Sequence, residues 1–63
     1  MSKIERELFI ILWVIIRRET SLTDDPTSKR LEMIRDISLE TGIDEVRVLA
    51  LLIEAREAYE SQG

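Results

Sequence analysis

The sequence predicts an all-α fold: a three-helix bundle with a helix-turn-helix-like second half, associating through an apolar first helix. Three observations predict it. Leu8 to Ile16 reads Leu-Phe-Ile-Ile-Leu-Trp-Val-Ile-Ile, an unbroken apolar run between strongly charged flanks. Only two Gly and one Pro occur in 63 residues, so little interrupts helical propensity. Capping residues at Ser2, Asp25 and Asp44 divide the chain into three stretches of helical length. The whole chain, residues 1–63, reads as a single helical domain.

The first helix is expected from about Lys3 to Glu19, opened by the capping-box pattern Ser2-x-x-Glu5. The β-branched residues between Ile10 and Ile16 also suit a strand, but the flanks favour helix and no second strand is available to pair with it. Thr20 to Asp25 reads as a polar connection. Asp25-Pro26 supplies an N-cap and a first helical residue for the second helix, which is expected to end at Thr41 with Gly42 as its left-handed stop. Asp44 caps a third helix expected to run to about Ser61.

Placing residues at about 100° intervals gives each helix a face. On the first, Ile4, Leu8, Ile11, Leu12 and Ile15 share one arc and are the expected intrachain core stripe. Leu31, Ile34, Ile37 and Ser38 point inward on the second, and Val48, Leu51, Leu52, Ala55 and Tyr59 on the third. Two further sets lie on the backs of these helices: Ile10, Trp13 and Val14 on the first, and Val46, Leu49 and Ile53 on the third. These six residues are the expected oligomer interface. A helix that is apolar on every side needs cover on every side, and a chain this short bury only part of its surface alone. A homodimer or higher oligomer is therefore expected.

Composition narrows the functions. There is no Cys and no His, so disulfides and the usual zinc and haem ligands are absent from the sequence. No metal site and no cofactor is expected. Thirteen acidic residues against nine basic ones give a net charge of -4, which does not favour phosphate backbones. The nine-residue apolar run is less than half of the about 20 residues a membrane span needs. Its Glu- and Arg-rich flanks do not read as a signal peptide. A cytoplasmic protein without membrane contact is expected. The adjacent carboxylates Asp24-Asp25 and Asp44-Glu45 sit at helix starts, where capping and the helix dipole explain them. Ser and Thr residues have no neighbouring base, so catalysis is not expected.

One motif bears on function. From Ile34 to Leu52 the chain places Ile37, then small Ser38, then Gly42, Ile43, Val48 and Leu51 at the spacing of two helices crossing at a tight turn. Over residues 34–53 it resembles the helix-turn-helix of sigma-factor and related transcriptional-regulator domains. That resemblance implies DNA binding, with the second helix of the motif entering a groove. The positions that would face DNA are Asp44, Glu45, Arg47, Leu49, Ala50 and Ile53, among which Arg47 is the one base reader. Arg17, Arg18, Lys29, Arg30 and Arg35 are the candidate phosphate contacts. The departure is that two carboxylates and three apolar residues occupy the remaining positions. Thr41-Gly42, Leu52 and Ala55 also resemble the ubiquitin-associated type of three-helix domain, which implies protein binding through apolar patches. The expected function is a small non-enzymatic regulatory or adaptor protein, acting as a homo-oligomer and on another protein. The alternative is a dimeric helix-turn-helix DNA-binding regulator.

Overall fold

The structure, a computed structural model, describes residues 2–61. It is a bundle of three helices: α1 (Lys3–Ser21), α2 (Pro26–Thr41) and α3 (Glu45–Ser61). No strand occurs among the described residues. The all-α three-helix fold expected from the sequence is the fold observed.

Each helix end has a local chemical cause. Ser2 caps α1, its Oγ accepting from the Glu5 N–H at 3.1 Å. At the other end α1 runs two residues past the expected Glu19. There the Thr20 hydroxyl donates to the Arg17 carbonyl at 3.1 Å and that of Ser21 to Arg18 at 2.7 Å. These hydroxyls bond to carbonyls near the helix end, in a stretch whose composition reads as a connection.

Asp25 caps α2, its carboxylate accepting from the Ser28 N–H at 3.2 Å, with Pro26 at the start of the helix. That bonding, the Ser28 side chain first and its backbone second, lowers the Asp25 pKa below the ordinary value. Gly42 closes α2 with φ 72° and ψ 9°, in the left-handed region. Its N–H donates to the Ser38 carbonyl at 2.9 Å. Asp44 opens α3, one carboxylate oxygen accepting from Val46 N–H at 3.2 Å and its carbonyl from Val48 N–H at 2.8 Å.

All three helices touch one another, α1 most extensively on α3. The core consists of Phe9 and Ile16 from α1, Ile34 from α2, and Val48, Leu51, Leu52 and Ala55 from α3. Phe9 and Val48 are its largest fully enclosed side chains. The expected inner stripe of α3 is therefore observed over Val48 to Ala55, with Tyr59 left exposed. On α2, Ile34 is buried, Ile37 and Ser38 are half-buried, and Leu31 is exposed rather than internal.

The first helix corrects the sequence reading. Ile4, Leu8, Ile11 and Ile15 were the expected core stripe; all four are exposed, Ile4 at 79% and Ile11 at 57%. Of that set only Leu12 packs partly against the core. The helix is turned so that Phe9, Trp13 and Ile16 face inward instead. The physical reason is size. Both faces of α1 are apolar, and aromatic side chains carry the larger surface out of water, so burying the face with Phe9 and Trp13 removes more apolar area.

The resulting body is thin. Its Cα atoms span 32 × 30 × 14 Å, two helix layers deep. The accessible surface is 4807 Å². A compact 7.4 kDa protein folded alone exposes about 4,200 Å² by the usual size scaling. The excess is apolar in part, because the outer faces of α1 and α3 carry large hydrophobic side chains that nothing in the chain covers.

Candidate functional site

Two surfaces stand out, and they lie on opposite sides of α1. The first is the exposed stripe Ile4, Leu8, Ile11 and Ile15. Its 4-3-4 spacing is the heptad spacing of a coiled-coil seam. Exposed Val14 borders it, and exposed Leu22 continues the same line one heptad beyond Ile15. Charges flank this line: Glu5 and Glu7 toward the start of α1, Arg18 toward its end.

The second is an open groove of about 540 Å³ on the other side, between the C-terminal half of α1, α2 and α3. Its apolar floor includes Trp13, Ile16, Leu49, Leu52 and Ile53. Three guanidinium groups stand around it, Arg17 from α1, Arg30 from α2 and Arg56 from α3, with one carboxylate, Glu60. Arg56 Nε donates to Glu60 Oε1 at 3.1 Å. Arg17 lies over the Trp13 ring, 5.5 Å from its centre, as a cation–π contact. Among the described residues, neither Arg17 nor Arg30 has a carboxylate in ion-pair contact.

The turn between α2 and α3 is held by short hydrogen bonds. Ser38 Oγ donates to the Ile43 carbonyl at 2.6 Å, and Thr41 Oγ1 to the Ile37 carbonyl at 2.6 Å. The small side chain at Ser38 thus ties α2 to the segment leading into α3. An exposed ion pair, Arg35 to Glu45 at 3.5 Å, adds a second link between these helices. Its solvent exposure holds its contribution to a few tenths of a kcal/mol, roughly.

The residues singled out from the sequence are brought together only in part. Trp13, Leu49 and Ile53, expected at an oligomer interface, share the groove. Ile10 packs partly against the core, while Val14 and Val46 are exposed outside the groove. Of the candidate nucleic-acid contacts, Arg17 and Arg30 line the groove; Arg18, Lys29, Arg35 and Arg47 do not. Two elements were missed. Arg56 completes the rim, and its position one turn after Leu52 and Ile53 was the available signal. The exposed stripe of α1 is the expected core stripe, because a purely aliphatic stripe and an aromatic stripe look equally apolar along the chain.

No group of His, Cys, Asp or Glu side chains able to hold a metal ion occurs among the described residues. No helix there is long and apolar enough to cross a membrane. Comparison with protein-family models, with curated proteins and with solved structures finds no match to this chain.

Proposed function

We propose that the protein is a small non-enzymatic adaptor or regulator that works as a homodimer, with the exposed stripe of α1 as the seam. The observation that carries this reading is the line Ile4, Leu8, Ile11 and Ile15, four large aliphatic side chains left in water at heptad spacing. Fully burying an exposed side chain of this size is worth roughly 1.5–3 kcal/mol, and Leu8 and Ile15, only 45% and 43% exposed, would gain about half of that. A standard interface takes about 800 Å² from each partner, roughly a sixth of the 4807 Å² present here. The lack of His and Cys, and of any fully buried carboxylate among the described residues, supports a role without catalysis.

Charge selects an antiparallel pairing. Side-by-side parallel helices would set Arg18 against Arg18 and the Glu5–Glu7 end against itself. Antiparallel helices in the register that sets Ile4 near Leu22 and Ile11 near Ile15 place Arg18 of one copy against Leu8 and beside Glu7 of the other. The two Arg18 side chains are thereby kept apart, and each approaches a Glu7.

Sedimentation equilibrium at micromolar concentration tests this. The wild type should be dimeric, and Leu8→Glu/Ile15→Glu should be a helical monomer. A monomeric wild type ends the proposal.

A second reading is DNA binding by α3, favoured by the exposed Arg47 on its first turn and the tight Gly42 turn before it. Leu49 and Ile53 weigh against it, because a base contact by Arg47 is worth about 1–3 kcal/mol while two half-exposed aliphatic side chains would face a polar groove. Sequence-selective binding that disappears in Arg47→Ala would restore that reading.

A further inference from the structure

We propose that the arginine-rimmed groove seats an amphipathic helix of a protein partner, one that carries carboxylates beside an apolar stripe. This rests on the adaptor reading and names the chemistry of its partner. The groove lies across α1 from the dimer seam, so one copy can hold a second copy and this partner together.

Three observations point to that occupant. The first is shape. The groove follows α3 from Leu49 to Glu60, which at 1.5 Å per residue is about 16 Å, or three turns of a docked helix. It is open along one side, which suits a helix laid into it better than a small molecule that must be enclosed. The second is the floor. Trp13, Leu49 and Ile53 are partly exposed there above buried Ile16 and Leu52, giving apolar contact for side chains at helical spacing. The third is charge. The chain as a whole is acidic, at -4, yet Arg17, Arg30 and Arg56 come from three different helices to the edge of this one hollow. Arg17 and Arg30 have no carboxylate partner among the described residues. Carboxylates on a docked helix would meet these guanidinium groups as charge-assisted hydrogen bonds at the rim, while its apolar side chains covered the floor.

Trp13 is the only tryptophan of the chain and lies in the groove, so its fluorescence reports occupancy directly. The full-length protein is titrated with a synthetic helical 15-residue peptide carrying Leu at 3-4 spacing and Glu on both flanks. Parallel titrations use the same peptide with Lys for Glu, sodium dodecanoate, and a random-sequence DNA duplex. A saturable change in Trp13 emission is expected with the acidic peptide. It should be at least tenfold weaker with the Lys peptide and at least tenfold weaker in Arg17→Gln/Arg30→Gln, whose helical circular dichroism should match the wild type.

No response to the acidic peptide, or equal affinity for the Lys peptide, overturns the proposal. So does saturation by the duplex or by dodecanoate at affinity equal to or greater than that of the acidic peptide, which would reassign the groove to phosphates or to small amphiphiles. Sedimentation of the same samples separates this proposal from the dimer. A dimer indifferent to the peptide sinks the groove proposal alone, and a monomer that binds it sinks the dimer alone.

Discussion

The rings of Trp13 and Tyr59 lie 5.1 Å apart, tilted by 48°, and join the middle of α1 to the last turns of α3. With Arg17 over the same indole, Trp13 is held by a ring and a cation, each from a residue that is itself exposed. Both contacts bear on the indole that lines the floor of the groove.

Loss of that ring contact is the first testable consequence. A tilted aromatic pair contributes about 0.5–1.5 kcal/mol beyond the area it covers. Tyr59→Ala should lower thermal stability by about that amount and shift Trp13 emission to the red, while Tyr59→Phe should leave both nearly unchanged. An unshifted emission maximum in Tyr59→Ala would show that the rings do not pair.

The two faces of α1 should respond in opposite ways. Phe9 is 1% exposed, and removing its ring leaves a cavity in a small core. Phe9→Ala should cost about 3–5 kcal/mol, enough to unfold a marginal domain at room temperature. Ile4→Ala should change the stability of the single chain by under about 0.5 kcal/mol, and appear instead as weaker association at low concentration. Circular dichroism at two protein concentrations separates the two effects.

Gly42 carries the one positive φ among the described residues, and a Cβ built there meets no atom within 4 Å. The cost of a side chain is therefore conformational and not steric. Gly42→Ala should lower stability by about 1 kcal/mol, and Gly42→Asn by less, because Asn tolerates the left-handed region. Equal melting curves for the two variants would contradict this account of the turn.

Acid should weaken the start of α2. Bonding to Ser28 depresses the Asp25 pKa in the folded state, so ionised Asp25 adds stability above its unfolded value. That contribution is lost as pH falls through the lower folded value, the direction for a depressed carboxylate. Asn caps nearly as well and does not titrate. The melting-temperature difference between wild type and Asp25→Asn should stay constant near neutrality and move against the wild type between about pH 5 and pH 2. A difference independent of pH across that range would refute the capping role of the charged form.

The sequence by itself determined the three helices, their caps at Ser2, Asp25 and Asp44, the Gly42 turn, and the buried face of α3. These follow from local chemistry: an oxygen offered to free N–H groups, a backbone angle that Gly adopts without strain, and apolar residues at helical spacing at Val48, Leu51, Leu52 and Ala55. Where local signals conflict, as at Thr20 and Ser21, the helix runs on to Ser21, and both hydroxyls bond to carbonyls of its last turns.

Tertiary structure alone decided the rotation of α1 and the assembly of the groove. Leu8 to Ile16 is apolar on every side, so periodicity gives that helix no preferred inner face. Packing chose the side with Phe9 and Trp13, and left Ile4, Leu8, Ile11 and Ile15 outside. The three arginines of the rim come from three helices, at positions 17, 30 and 56, and no spacing along the chain marks them as neighbours. Their convergence depends on how α1 and α2 cross α3, which is fixed by the fit of side chains in the core.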